Sequence, residues 1–234
     1  MANSYFKFKQ FTIRHDQCAM KVGTDGVLLG AVAPVEGANQ VLDIGTGTGL
    51  IALMLAQRSD AQITAIEIDE IAAQQALDNI RNSLWASRIE LLQCDFTTYR
   101  PCKKFNLIVS NPPYFVNSLI NPSKSRAQAR HTDSLPFEQL LSGVAEILDQ
   151  EGRFVVILPV EARSEFVSLA SDNQLHLVEE LCIRTRPGIE PKRVVLQFSF
   201  IYTDLVTNEL LIELERHQYS DEYIALTREF YLKM

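Results

Sequence analysis

The chain of 234 residues has no apolar run near the roughly 18 residues that a membrane-spanning helix needs. Its first stretch, MANSYFKFKQF, has no long apolar core of the kind that directs secretion. We therefore expect a cytoplasmic protein. Cysteine is scarce: Cys18, Cys94, Cys102 and Cys182 form no C-x-x-C pair, and no His pair sits at helical ligand spacing. That argues against zinc and against a disulfide frame, so we expect no metal and reduced, mostly buried thiols. There is no internal repeat, no low-complexity tract and no sign of a second domain. An excess of positive charge is missing too. The net charge is −7, which argues against indiscriminate binding to nucleic acid, because phosphate attraction needs clustered Lys and Arg.

What is present is a globular composition, 47% hydrophobic and 22% charged, in which strand-like and helix-like segments alternate. QVLDI (40–44), QITAIEI (62–68), IELLQC (89–94), FNLIVS (105–110) and GRFVVILP (152–159) are short, apolar and β-branched. Between them lie LIALMLAQ (50–57), IAAQQALDNIRNSL (71–84) and PFEQLLSGVAEIL (136–148), and a helix follows from about Glu161 to Ala170. Such alternation implies right-handed crossovers and a buried, mostly parallel sheet with helices on both faces, an α/β fold. LVEELCIRT and RVVLQFSFIY are joined by TRPGIEPK, too short for a crossover helix, so the last strand should run antiparallel. FKFKQFTI suggests a hairpin, and SDEYIALTREFYLK a helix capped by Ser220 or Asp221.

Positive charge is grouped although the total is negative. Lys7, Lys9 and Arg14 form one group; Lys124, Arg126, Arg130 and His131 a second; Arg184, Arg186, Lys192 and Arg193 a third. Any one of them alone reads as a solvated surface.

DIGTGTG (43–49) lies between the first of these strands and its helix. Glycines at 45, 47 and 49 permit a tight turn and a close ligand. The pattern is G-x-G-x-G with Leu50 next, so it fits a dinucleotide pyrophosphate less well than G-x-G-x-x-G would. Glu67 ends the next strand in AIEID, where a carboxylate can accept ribose hydroxyls. Asp95 and Phe96 follow the third strand in QCDF; an acid there can take an amino proton of adenine while an aromatic packs nearby, or it can simply cap a turn. Turn glycines and two acids at three successive strand ends resemble the class I S-adenosylmethionine-dependent methyltransferases, over about residues 24–202. That resemblance implies a seven-stranded, Rossmann-like sheet with S-adenosyl-L-methionine as cofactor. It implies that Asp43 and the glycines meet the methionine end, that Glu67 holds the ribose and that Asp95 faces the adenine; Ile68 and Phe96, beside those acids, are further candidates for cofactor binding.

SNPPY (110–114) ends the fourth strand and opens into the same crevice. It resembles the (Asn/Asp)-Pro-Pro-(Tyr/Phe) motif of methyltransferases acting on a planar nitrogen. The chemistry explains the residue types. An amine conjugated to a ring has a delocalised lone pair and is a poor nucleophile. Acceptors on its two protons, the Asn111 side-chain oxygen and the Pro112 carbonyl, favour a pyramidal nitrogen aimed at the methyl group. The prolines hold those acceptors in place. Tyr114 offers a flat face for stacking, and Asn111 also borders the cofactor.

Upstream, KVGTDGVLLGAVA contains Thr24 and Asp25, which either cap a helix or close over the methionine end of the cofactor, as in N6-adenine methyltransferases. From FKFKQF through RPGIEPKRVVLQF to EYIALTREFYLK, the chain resembles the bacterial tRNA(Val)-specific adenine-N6 methyltransferases. The resemblance implies one domain: residues 1–35 closing over the cofactor, 36–205 the core sheet and 206–234 a helical tail. It also implies methylation of adenosine 37 beside the anticodon of a valine tRNA. Lys124, Arg126 and Arg130, with Lys192 and Arg193, are candidates to hold RNA phosphates. The rivals are a protein-glutamine N5-methyltransferase, a DNA adenine-N6 methyltransferase and a non-catalytic, cofactor-dependent RNA-binding protein.

Overall fold

The computed structural model describes residues 3–18, 20–113 and 135–234. Among them the strands are β1 (Tyr5–Lys7), β2 (Thr12–Arg14), β3 (Gln40–Ile44), β4 (Gln62–Glu67), β5 (Ile89–Gln93), β6 (Phe105–Ser110), β7 (Leu148–Pro159), β8 (His176–Arg184), β9 (Arg193–Ser199), β10 (Val206–Leu211), β11 (Glu213–Glu215) and β12 (Gln218–Tyr219). The helices are α1 (Thr24–Val32), α2 (Leu50–Arg58), α3 (Glu70–Arg81), α4 (Phe137–Ile147), α5 (Arg163–Asp172) and α6 (Asp221–Thr227).

Eight strands form the central sheet in the order β10-β8-β9-β7-β6-β3-β4-β5. Strands β5, β4, β3, β6 and β7 are parallel, as the crossover helices require. β9 runs antiparallel between β7 and β8. The expected hairpin is therefore present, but the sheet has one strand more than expected. Val206–Leu211, read from sequence as the start of a helical tail, pairs parallel with β8 from Val206↔Glu179 to Leu211↔Arg184. It is an edge strand whose first four residues are exposed, so it lacks the apolar alternation that would reveal it.

The sheet is buried on both faces, which is why its inner strands read as near-continuous apolar runs. Val41, Ala65, Leu107, Val155 and Val195 pack with α1, α2 and the N-terminal hairpin. Leu42, Ile66, Ile108, Val156 and Leu196 pack on the other side with α4 and α5. The two ends of the chain meet. Lys9 N donates to Phe230 O at 2.8 Å, and the Phe8 and Tyr231 rings stack with centroids 5.8 Å apart. No helix among the described residues is long and apolar enough to cross a membrane.

Candidate active site

The glycine turn joins β3 to α2. Gly45 and Gly47 have φ of +71° and +56°, a region that side chains rarely enter, and a Cβ on either would meet nothing within 4 Å. The turn thus presents bare backbone to open space. It is pinned from behind: Gly45 N and Thr46 N both donate to Ile66 O at 2.9 Å. Gly49, at φ +81°, precedes the first residue of α2 and lies against Ala76 of α3.

Asp43 sits beneath this turn with no exposure. Its Oδ2 accepts from Thr46 Oγ1 at 2.6 Å and from Ala52 N, in the first turn of α2, at 3.2 Å. Its Oδ1 is buried without a hydrogen-bond partner. Burial pushes its pKa from 3.8 up to about 7, against the pull of those two bonds, and nearby Glu67 adds to the rise.

Glu67, at the end of β4, is fastened to the same turn. Its Oε2 accepts Gly47 N at 2.8 Å, and its Oε1 accepts Ile68 N at 2.9 Å and Asp69 N at 3.0 Å. With two lone pairs on each oxygen, Oε2 retains a second acceptor site for a ligand hydroxyl. Ile68 follows with 45% of its surface exposed, an apolar group beside a polar crevice. Asp95 Oδ1 accepts from Thr97 N and Thr97 Oγ1, both at 2.8 Å, so the carboxylate caps the short 3-10 turn Phe96–Thr98. The Phe96 ring is buried, and a Cβ on Gly143 of α4 would lie 2.6 Å from it. That ring packs into the core directly after Asp95, against α4.

Asn111 and Pro112 follow β6 directly, and Pro112 is buried. Ser110 Oγ donates to Ile44 O at 3.0 Å. The residue before Asn111 is therefore tied to the residue before Gly45. Tyr114, Lys124, Arg126, Arg130 and His131 lie outside the described residues.

Asp25 is the second residue of α1, not its cap; the N-cap is Gly23. Its Oδ2 accepts Arg193 Nε at 2.8 Å. Arg193, expected at RNA phosphates, is thus spent at least partly in fixing the start of α1 to the start of β9. Thr24 and Lys192 are both exposed beside this pair.

Four anchors were not singled out in the sequence. Thr46 and Ser110 bond to Asp43 and Ile44 as above. Asn79, buried in α3, donates through Nδ2 to Thr48 O and to Arg14 O, both at 2.9 Å, and accepts Arg14 N at 2.9 Å. One helix turn away, Gln75 Oε1 accepts Gln17 N and Cys18 N at 3.1 Å. These bonds staple the N-terminal strap to α3 beside the glycine turn. Gln75 and Asn79 are four apart on a helix face shared with Ala76 and Ile80, and two amides on an apolar face are the signal that could have found them.

The methyltransferase small domain family matches residues 19–165. A tRNA1(Val) (adenine(37)-N6)-methyltransferase of Bacteroides thetaiotaomicron is 54% identical over 236 residues, covering 100% of both chains. One of the same description from Pseudoalteromonas translucida is 45% identical over 232 residues, covering 99% of this chain and 100% of its own. Among solved structures, a predicted O-methyltransferase of Agrobacterium tumefaciens superposes with TM-score 0.69 at 20% identity, covering 88% of this chain and 96% of that one. A glycopeptide N-methyltransferase complexed with S-adenosyl-L-methionine gives 0.58 at 13% identity, covering 77% and 100%. At those identities the structures show the fold alone.

Proposed function

The chain belongs to the methyltransferase small domain family and, within it, to the tRNA1(Val) (adenine(37)-N6)-methyltransferases, and from that membership we propose how it methylates N6 of adenosine 37 in a valine tRNA. It is an S-adenosyl-L-methionine-dependent enzyme. The observation that carries the chemistry is the bond from Ser110 Oγ to Ile44 O, which puts Asn111 and the glycine turn on one rigid edge of the sheet.

The residues suit the cofactor. Gly45 and Gly47 leave open space before bare backbone, and Asp43 Oδ1 is an unused buried acceptor beside them. The glycine turn with Asp43, Thr24 and Asp25 holds the methionine end; Glu67 holds the ribose; Ile68, Asp95 and the Phe96 backbone border the adenine. When bound, S-adenosyl-L-methionine supplies a methyl group on a positively charged sulfur. Residues up to 35 close over it, and the rest of the chain completes a single methyltransferase unit.

Adenine N6 carries two protons and a lone pair delocalised into the ring. The Asn111 side-chain oxygen and the Pro112 carbonyl accept those protons and turn the lone pair out of the ring plane. The charge-assisted strengthening of both bonds as positive charge builds on nitrogen favours the transition state over the ground state. Methylated N6 then loses a proton to solvent, so the motif needs no strong base. Tyr114 stacks on a base extruded from its neighbours. The reaction takes place in the cytoplasm, on RNA held by Lys124, Arg126, Arg130 and Lys192.

Purified protein, labelled cofactor and unmodified tRNA test this reading, with release factor and duplex DNA as competing substrates. Digestion of the labelled tRNA should yield N6-methyladenosine. Label on a glutamine or in DNA, or tRNA bound without label, would replace it with a rival.

A further inference from the structure

Two basic groups of the sequence, far apart in the chain, meet in space beside the methyl-transfer site, in a cleft that reaches Thr24 at the start of α1. Lys7 of β1, Arg186 and Lys192 between β8 and β9, and Lys233 line an open cleft of about 1180 Å³. All four are exposed. Glu213 is the one acidic side chain among the described lining residues, and its Oε2 already accepts Arg186 Nε at 3.0 Å. The cleft is therefore positive in a chain whose net charge is −7. Flat rings sit among the cations: Tyr5 is 52% and Tyr219 36% exposed.

The position is as informative as the charge. Arg186 and Glu213 lie just beyond the ends of β8 and β10, and Lys192 just before β9. Those points share one edge of the sheet with Asn111, because β6, β7, β8 and β10 run parallel and β9 runs against them. Along that edge the order is β8, β9, β7, β6, β3. The cleft and the glycine turn thus flank Asn111 on opposite sides. Three strand spacings of about 4.8 Å put the end of β8 about 14 Å from the end of β6. At about 3.4 Å per stacked nucleotide, that is about four nucleotides of RNA.

We propose that this cleft binds the RNA strand flanking the target adenosine, with phosphates on Lys7, Arg186, Lys192 and Lys233 and unpaired bases stacked on Tyr5 and Tyr219. The proposal rests on the tRNA reading above and extends it to a second surface. Cations interleaved with exposed rings suit single-stranded RNA, whose bases have apolar faces and whose backbone is anionic. An acidic peptide would use the cations and leave the rings without partners.

The test measures binding of unmodified tRNA to the full chain across a salt series, alongside cofactor affinity and methyl transfer. Lys7→Glu with Lys233→Glu should weaken tRNA binding at least about tenfold and flatten the slope of log K against log salt by roughly 1.4 to 1.8, two phosphate contacts, with cofactor affinity unchanged. Tyr5→Ala with Tyr219→Ala should weaken tRNA binding and leave the salt slope as it was. Wild-type tRNA affinity and slope in the charge-reversed variant, with wild-type protein labelling tRNA normally, would overturn the cleft and leave the function standing. Failure of wild-type protein to label tRNA would overturn the function, and failure to bind tRNA at all would overturn the cleft with it.

Discussion

Ser110 and Ile44 end adjacent strands, and the Ser110 hydroxyl donates to the Ile44 carbonyl at 3.0 Å. The bond is buried and joins the loop proposed to hold the target amine to the turn proposed to hold the methyl donor. Ser110→Ala should lower the rate of transfer about tenfold and change cofactor affinity little, since a sub-ångström shift between the loops affects approach more than binding. Stability should fall by only about 1 kcal/mol. Single-turnover kinetics beside cofactor titration read the two effects separately. An equal loss in both would mean that Ser110 supports the fold alone.

Asn111→Ala should keep cofactor affinity within a few-fold and lose transfer by a factor of about 100 or more, because on the proposed mechanism it removes an acceptor whose bond to N6 strengthens as the transition state forms. Near-normal turnover in this variant would remove Asn111 from the mechanism.

Glu67, proposed to hold the ribose, also fixes the glycine turn through Gly47 N. Glu67→Gln keeps one oxygen for the backbone amides but cannot serve Gly47 N and Ile68 N together. It should weaken cofactor binding about tenfold, and Glu67→Ala more. Isothermal titration of the two variants decides, and equal affinity for wild type and alanine would exclude the ribose role.

Asp43 should give the protein without cofactor a distinctive pH dependence. Its pKa is about 4 in an unfolded chain and about 7 when folded. Between those values the folded state holds a proton that the unfolded state has lost. The contribution of this group is therefore full below about pH 4, declines as pH rises and is lost above about pH 7. Asp43→Asn removes the charge, so its melting temperature relative to wild type should rise from pH 5 to pH 8. A difference that stays flat over that range would show that Asp43 is charged throughout.

Arg193→Ala should weaken cofactor binding at least as much as tRNA binding, because its partner Asp25 positions α1. A double-mutant cycle with Asp25→Asn should show a coupling of about 1 kcal/mol or less, as both side chains are partly exposed. Loss confined to tRNA binding would return Arg193 to the RNA surface.

Legibility in the sequence followed chemistry. β6 was read with its observed bounds, since an apolar run that meets two prolines can end in only one place. The ends of β3, β4 and β5 were legible because acids and glycines sit where buried strands reach solvent. β10 was hidden because an edge strand with one ladder and little burial carries no pattern of its own. Asp25 and Arg193 were each assigned a ligand, whereas 168 positions of separation concealed that they bond to each other. The ring of Phe96 fills space left by Gly143, a partner too far along the chain for the pattern around Asp95 to reveal.

The reversed direction of β9 has a consequence for divergence. Where strands all run one way, every loop at the reactive edge leads into a crossover helix and is held at both ends by the core. Residues 185–192 instead form a simple reversal between β8 and β9. Such a loop can change length and charge, provided Arg193 keeps its hold on Asp25, without moving the glycine turn or α2. Descendants of this scaffold could thus alter which molecule they grip while the transfer step itself stays the same.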